Sequence, residues 1–222
     1  MVRKLSRLGR DQRGITGLET AIILIAFVVV AAVFAYTALS AGLFSTQKSS
    51  EAIYSGLEET QSTLELRGGV IAYWANVSGT EVVGKVEFTV GLVAGGEPID
   101  LTAPYTVAGA VGAETLSAGT AGPTVIGFND ANVKVNECAW TVTWVGENDS
   151  DVLLESTEKA VITVWLHSVT AGTWAAGTDP FLASNYVQTN AEFRMEVKPS
   201  AGATLSIERT TPANLDTVMD LH

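Results

Sequence analysis

Cysteine and positive charge are both scarce in this sequence of 222 residues. Its single cysteine, Cys138, rules out a disulfide within the chain. Lys and Arg together number 13 against 24 Asp and Glu, so the formal net charge is −11 and little basic surface is left to neutralise nucleic-acid phosphates. The sequence has two His and no phosphate-binding loop, nucleophile elbow or metal-pair spacing. We therefore expect neither an enzyme nor a protein that binds a cofactor or nucleic acid.

The lone cysteine and one of the histidines are expected to be strand residues. Cys138 alternates with Trp140 and Val142, a pattern that predicts a small side chain buried on one face of a strand. His167 alternates with Trp165 and has no second histidine or cysteine close by in sequence. We interpret both as structural residues, with no catalytic or metal-binding role.

Charge and proline are also missing from one long stretch, Ala21 to Leu39. A bilayer is spanned by roughly 20 apolar helical residues, and this run is longer than the roughly 7–15 residues of a secretory-signal core. A secretory-signal cut at Ala38-Leu39-Ser40 is disfavoured, because the apolar helical pattern continues beyond these residues. We predict one helix over residues 15–66, ended by Arg67-Gly68-Gly69.

A basic leader precedes this helix. The junction between leader and helix is Arg13-Gly14-Ile15-Thr16-Gly17-Leu18-Glu19, which resembles the class III signal of type IV pilin-like proteins, where a membrane peptidase cuts after Gly and leaves Glu as the fifth residue. The small Gly14 before the cut and Ile15 as the new N-terminus fit that processing. A positive leader also favours a cytoplasmic N-terminus before cleavage.

The stretch from this signal to Thr46-Gln47-Lys48, together with Glu208-Arg209-Thr210-Thr211-Pro212, resembles the archaellins, the archaeal flagellins of the swimming filament. The resemblance implies a helical homopolymer of the chain itself outside the cell, with a membrane-inserted precursor. It also implies a prepilin-type membrane peptidase, an assembly ATPase and a membrane platform protein as partners. The alternative is an adhesive pilin-like subunit, or a membrane-anchored surface-binding protein that keeps its leader.

Glu19 is a lone carboxylate at the start of the apolar helix. Left unpaired in a low-dielectric setting, it would cost several kcal/mol. After cleavage the α-amine of Ile15 lies one helical turn away, so an ion pair with it, in the same or an adjacent subunit, would neutralise both groups. The alternative is a solvent-facing Glu that merely favours the helix start.

Beyond the helix, hydrophobicity alternates with the period of two expected of antiparallel strands. The clearest runs are residues 84–93 and 192–198, where apolar and charged residues take turns. Further strands are predicted at 70–77, 124–128, 133–145, 160–169 and 203–209, with loops or a variable hairpin over 94–122. The predicted class is α+β: a leader (1–14), a long hydrophobic N-terminal helix (15–66) and an antiparallel β-sandwich (67–222), which the archaellin resemblance implies is Ig-like.

Two surface motifs remain. Asn76-Val77-Ser78 and Asn148-Asp149-Ser150 both match the N-glycosylation sequon, so Asn76 and Asn148 are candidate glycan sites. The acidic turn that holds Glu147, Asp149 and Asp151 offers hard oxygen ligands suited to Ca²⁺. Because the EF-hand spacing is missing, a solvated acidic loop is the favoured interpretation of that turn.

Overall fold

The structure is a computed structural model that describes residues 12–61, 63–146, 148–182 and 187–221, without the side chains of 12–16 and 58–61. Its contacts divide the chain into two compact units, one up to Ser55 and one from Gly56 onward. Helix α1, Gln12–Gln61, runs through the first unit and enters the second. At about 1.5 Å per residue its 50 residues span about 75 Å.

The end of α1 differs from the sequence prediction. The helix ends at Gln61 instead of Leu66, and strand β1, Leu64–Val77, begins almost at once. Leu64 and Leu66 both pack against the core while Glu65 between them does not, which is a strand alternation too short to stand out beside a long helix. The Gly68-Gly69 pair therefore lies inside β1, where the pairing register with the next strand shifts between Leu66 and Val70.

The second unit is built from antiparallel strands. After β1, the strands are β2 (Thr80–Leu92), β3 (Ile99–Asp100), β4 (Tyr105–Ala108), β5 (Thr115–Ala118), β6 (Val125–Asp130), β7 (Lys134–Val135), β8 (Ala139–Val145), β9 (Leu153–Leu154), β10 (Lys159–Trp165), β11 (Ser168–Thr170), β12 (Thr173–Ala175), β13 (Glu192–Lys198), β14 (Leu205–Thr210) and β15 (Val218–Leu221). They form a five-stranded sheet in the order β15-β1-β2-β10-β8, a four-stranded sheet in the order β14-β13-β6-β7, and three two-stranded pairs, β3-β9, β4-β5 and β11-β12.

The two larger sheets share one hydrophobic core. Phe88 and Ile162 from the five-stranded sheet belong to the same buried cluster as Phe128 and Phe193 from the four-stranded sheet. The rings of Phe128 and Phe193 stack with their centroids 5.7 Å apart. Two antiparallel sheets with their inner faces in one core form a β-sandwich. The predicted α+β class, a long helix followed by a sandwich, is confirmed.

The opposite face of the five-stranded sheet is covered as well. Trp165 on β10 stacks on Trp174 of the β11–β12 hairpin at 5.9 Å, and Leu116 of the β4–β5 hairpin joins the same cluster. The buried indole of Trp165 donates to Thr141 Oγ1 at 3.0 Å, so its polar atom is satisfied. The region 94–122, expected to be loops or a hairpin, thus contains a hairpin that packs on the sheet.

The second unit contains every described strand and should fold without most of α1. We expect a chain that starts at Thr63 to be a soluble monomer rich in β-structure, as measured by circular dichroism and size-exclusion chromatography. A start at Gly69 removes the buried Leu64, whose partner in the register is Leu92, and should lower the free energy of unfolding by about 2–5 kcal/mol. Aggregation of the chain starting at Thr63 would show that the sandwich needs the helix or its neighbours.

Candidate assembly surface

Helix α1 exposes apolar side chains on all of its sides. Each residue from Gly17 to Leu57 is exposed, and large side chains such as Val29, Phe34 and Tyr36 show 56%, 70% and 74% of their surface. Among the described residues, this is the one helix long and apolar enough to cross a membrane, and its most apolar stretch of 18 residues has a mean hydropathy of 2.8. A helix without a polar face has to be buried in lipid or against other protein. The surface of α1 is therefore the candidate site of assembly.

Threonine hydroxyl groups on this surface form hydrogen bonds inside the helix. Thr37 Oγ1 donates to the carbonyl of Phe34 at 2.9 Å, and Thr46 Oγ1 lies 3.0 Å from the carbonyl of Gly42. A buried hydroxyl that already has its hydrogen bond costs far less than an unpaired one. Thr37 and Thr46 would therefore keep a hydrogen bond if this part of α1 were covered.

The predicted processing residues lie at the start of α1. Gly14 and Ile15 fall within its first four residues, whose N–H groups have no partner in the helix, so unwinding there breaks few hydrogen bonds. Glu19 is exposed one turn further along. In the uncut chain the first turn of α1 carries no acidic residue, and a cut before Ile15 would bring Glu19 close to the positive end of the helix dipole. The roles of all three residues stay predictions.

In the acidic turn after β8, carboxylate oxygens accept hydrogen bonds from backbone N–H groups of the turn itself. Asp151 Oδ1 accepts from Leu153 N at 2.8 Å, and Asp149 Oδ1 accepts from Asp151 N at 3.2 Å. Glu158, which is almost fully buried, accepts from the N–H groups of Asp149 and Glu155. Among the described residues no group of three His, Cys, Asp or Glu could hold a metal ion, and Glu147 lies outside that part of the chain.

Cys138 and His167 are buried, as expected for structural residues. Burial raises the pKa of the Cys138 thiol to about 12, with Asp179 adding to the effect, so the thiol is protonated at neutral pH. Burial lowers the pKa of His167 to about 4, which keeps the imidazole neutral. Neither residue lies within a strand, however: Cys138 lies between β7 and β8, and His167 lies between β10 and β11.

A polar cluster on the outer face of β2 is absent from the sequence predictions. Lys85 Nζ lies 3.3 Å from Glu87 Oε1 and 3.6 Å from Glu114 Oε1, and 4.6 Å from the ring centre of Tyr73. Tyr73 in turn donates its hydroxyl hydrogen to Glu87 Oε2 at 2.8 Å. The pKa of the Tyr73 hydroxyl is raised to about 12, mainly by burial and secondly by the Glu87 carboxylate. Since Glu114 precedes β5, the cluster ties the β4–β5 hairpin to the sheet. In the sequence, alternation predicted only that Lys85 lies on the polar face of a strand. It could not identify Glu114, which is distant along the chain, as the partner of Lys85.

The fold and this surface together define a class: a structural subunit that joins an apolar helix, exposed on all sides, to an antiparallel β-sandwich. Comparison with known proteins narrows the class. The family model of archaeal-type flagellin matches residues 14–209. The chain is 36% identical over 220 residues to "Probable flagellin 1" of Archaeoglobus fulgidus, covering 97% of this chain and 98% of that protein. It is 33% identical over 212 residues to "Probable flagellin 1" of Aeropyrum pernix, covering 94% and 96%.

A solved structure agrees with the sequence relatives. The archaeal flagellum of Methanospirillum hungatei strain JF1 matches with a TM-score of 0.58 and 26% identity, over 92% of this chain and 98% of that one. The chain belongs to the archaeal-type flagellin family. It is a structural subunit of a filament and not an enzyme, as expected, and the adhesive or anchored alternative is not favoured.

Proposed function

We propose that this subunit polymerises with copies of itself into a helical filament outside the archaeal cell, with α1 in the core and the β-sandwich on the outside. The observation that carries the proposal is the exposure of α1, which is apolar on every side from Ala21 to Leu39. Burying one Leu, Ile, Val or Phe side chain is worth about 1.5–3 kcal/mol relative to water, so the whole run represents tens of kcal/mol. Such a surface cannot remain in water.

Lipid and neighbouring helices are the two environments that satisfy α1, and we propose that it uses them in that order. In a membrane-inserted precursor the backbone hydrogen bonds are internal and the side chains contact lipid. Transfer to the filament then replaces lipid contacts with helix packing. Contacts in a growing filament are heterologous, since each surface meets a different surface on the next copy and the assembly does not close.

Membership of the flagellin family supports a set of partners for the precursor. We propose that a prepilin-type membrane peptidase cuts between Gly14 and Ile15, and that an assembly ATPase and a membrane platform protein insert the mature subunit. The first turn of α1 holds the proposed bond, where few helical hydrogen bonds resist unwinding. The five basic residues of the leader, against one acidic residue, support a cytoplasmic N-terminus before the cut.

Electron microscopy of the purified surface material, together with the mass of its subunit, tests this function. We expect filaments with a helical core, made of a chain whose first residue is Ile15. Non-filamentous material, or a subunit that keeps residues 1–14, would contradict the proposal.

Glu19→Gln should slow incorporation of the subunit into the filament. The substitution keeps size and hydrogen bonding but removes the charge that would neutralise the new amine of Ile15, so an uncompensated charge would enter the core. We expect the rate of incorporation to fall by about tenfold or more, since tenfold corresponds to only about 1.4 kcal/mol. Filament yield in a strain that carries only this variant is the measurement.

Glu51→Gln is the matched control. Glu51 lies on the same helix beyond the apolar run, 2.6 Å from Lys48 Nζ, and both side chains are mostly exposed. An exposed pair contributes little, so this variant should assemble at the normal rate. Equal yields from the two variants would return Glu19 to the role of an ordinary residue at a helix start.

A further inference from the structure

The two N-glycosylation sequons lie in different surroundings. Asn76 is an exposed residue next to the end of β1, beside the turn that joins β1 to β2. The turn residues Ser78 and Gly79 have φ values of 53° and 85°, both positive as in the two-residue turns typical of hairpins. Asn76 Oδ1 accepts from Gly79 N at 2.9 Å. The turn therefore forms its hydrogen bond with the amide oxygen of Asn76 and not with the amide nitrogen, and the Asn76 side chain is exposed.

This hairpin end is firmly packed. Ala75, Val77 and Val82 are completely buried and form a small cluster with Trp174. Asn76 alternates with Ala75 and Val77, so its side chain points away from that cluster. The site therefore presents Asn76 and the exposed Ser78 to solvent on a rigid support.

Asn148 lies in the acidic turn after β8 and is held differently. Its Oδ1 atom accepts from Ser150 N at 2.9 Å, which fixes the side chain over the turn, and its Nδ2 atom is buried. A glycan is attached at Nδ2, and a buried atom leaves no room for a sugar ring. Whether modification precedes or follows folding, a sugar on Asn148 would force the side chain outward and break its bond to Ser150.

We propose that Asn76 is N-glycosylated and that Asn148 is left unmodified. The inference rests on the proposed function, since export places the sandwich where a membrane glycosyltransferase can reach it. The donor class is an oligosaccharide linked through phosphate to a membrane lipid. A bond forms between Asn76 Nδ2 and C1 of the first sugar, the bond from C1 to the phosphate oxygen breaks, Nδ2 loses one proton, and the lipid phosphate leaves with the bonding electron pair.

Mass spectrometry of filaments from the source organism tests the inference. We expect a peptide with Asn76 that carries sugar mass and a peptide with Asn148 that carries none. The intact mass of the Asn76→Gln chain should fall by the mass of the sugar. The intact mass of the Asn148→Gln chain should differ from that of the unsubstituted chain only by the difference between Asn and Gln. Because Asn76→Gln also disturbs the turn, Ser78→Ala provides a second variant that keeps Asn76 and its bond to Gly79 but destroys the sequon.

The outcomes separate this inference from the proposed function. Sugar on Asn148, an unmodified Asn76, or a sugar retained at Asn76 in Ser78→Ala would overturn the glycosylation proposal, even in normal filaments. Filaments that lack this chain would overturn the proposed function instead, whatever the glycan pattern of the isolated chain.

Discussion

Val29→Asp is expected to abolish filament formation and leave the β-sandwich folded. Val29 lies in the middle of the uncharged run from Ala21 to Leu39, with 56% of its surface exposed in the single subunit. If α1 packs against its copies in a water-free core, the new carboxylate has no partner and cannot extend to solvent. The penalty of several kcal/mol then recurs in every subunit. Electron microscopy and swimming assays measure the loss.

Val111→Asp supplies the matched control, because the same change is made at a residue 97% exposed in the turn between β4 and β5. Exposed substitutions usually change stability by no more than about 0.5 kcal/mol, so this variant should form filaments. Removal of the leader from the Val29→Asp protein checks that it still reached the membrane peptidase. Cleaved Val29→Asp protein that builds motile filaments would show that the run anchors the precursor but does not form the core.

The parts of the fold that follow from local chemistry could be predicted from the sequence. Strict alternation over Glu192–Lys198 gave strand β13 with its observed bounds. The long helix followed from a run without charge or proline, although its end was misplaced by five residues. The sequence predicts that Gly68 and Gly69 end the helix, whereas the pairing of β1 with β2 on both sides of these glycines shows that they lie in β1.

Breaks between strands could not be predicted, because alternation has the same period in every sheet. The run 133–145 was expected to be one strand, but β7 pairs with β6 in the four-stranded sheet and β8 pairs with β10 in the five-stranded sheet. Between them, Cys138 N donates to Ile126 O at 2.7 Å, where the chain crosses from one sheet to the other. The run 160–169 breaks similarly, since β10 pairs with β2 and β8 in the five-stranded sheet, whereas β11 pairs with β12 in a separate hairpin. Strand β15 was missed entirely.

In the candidate site, too, local features could be predicted from the sequence and long-range contacts could not. Its apolar surface is a property of composition, so the sequence revealed it, and the sequons are local motifs. What distinguishes Asn76 from Asn148 is the burial of one nitrogen atom, which depends on contacts within each turn. The partners of Lys85 depend likewise on a hairpin that packs on the sheet. Long-range contacts of this kind leave no periodic signal in a single sequence.

Gly14→Val should leave the leader attached and prevent filament formation. The peptidase has to bring its catalytic groups close to the backbone on both sides of the Gly14–Ile15 bond, and a β-branched side chain blocks that approach. The uncut chain would keep the basic leader on the cytoplasmic side, and no free amine would face Glu19. The mass of the membrane-bound protein measures cleavage, and electron microscopy measures assembly.

Gly42→Val is the control for the glycine itself. Gly42 lies in the same helix far from the cut, and a Cβ added there meets nothing within 4 Å in the subunit. This variant should lose its leader normally, because only the residue before the scissile bond has to be small. Retained leader in both variants would indicate that valine hinders the chain before it reaches the peptidase. Normal filaments from Gly14→Val would exclude processing at this bond, and the role of Glu19 as the partner of a new N-terminus would be lost with it.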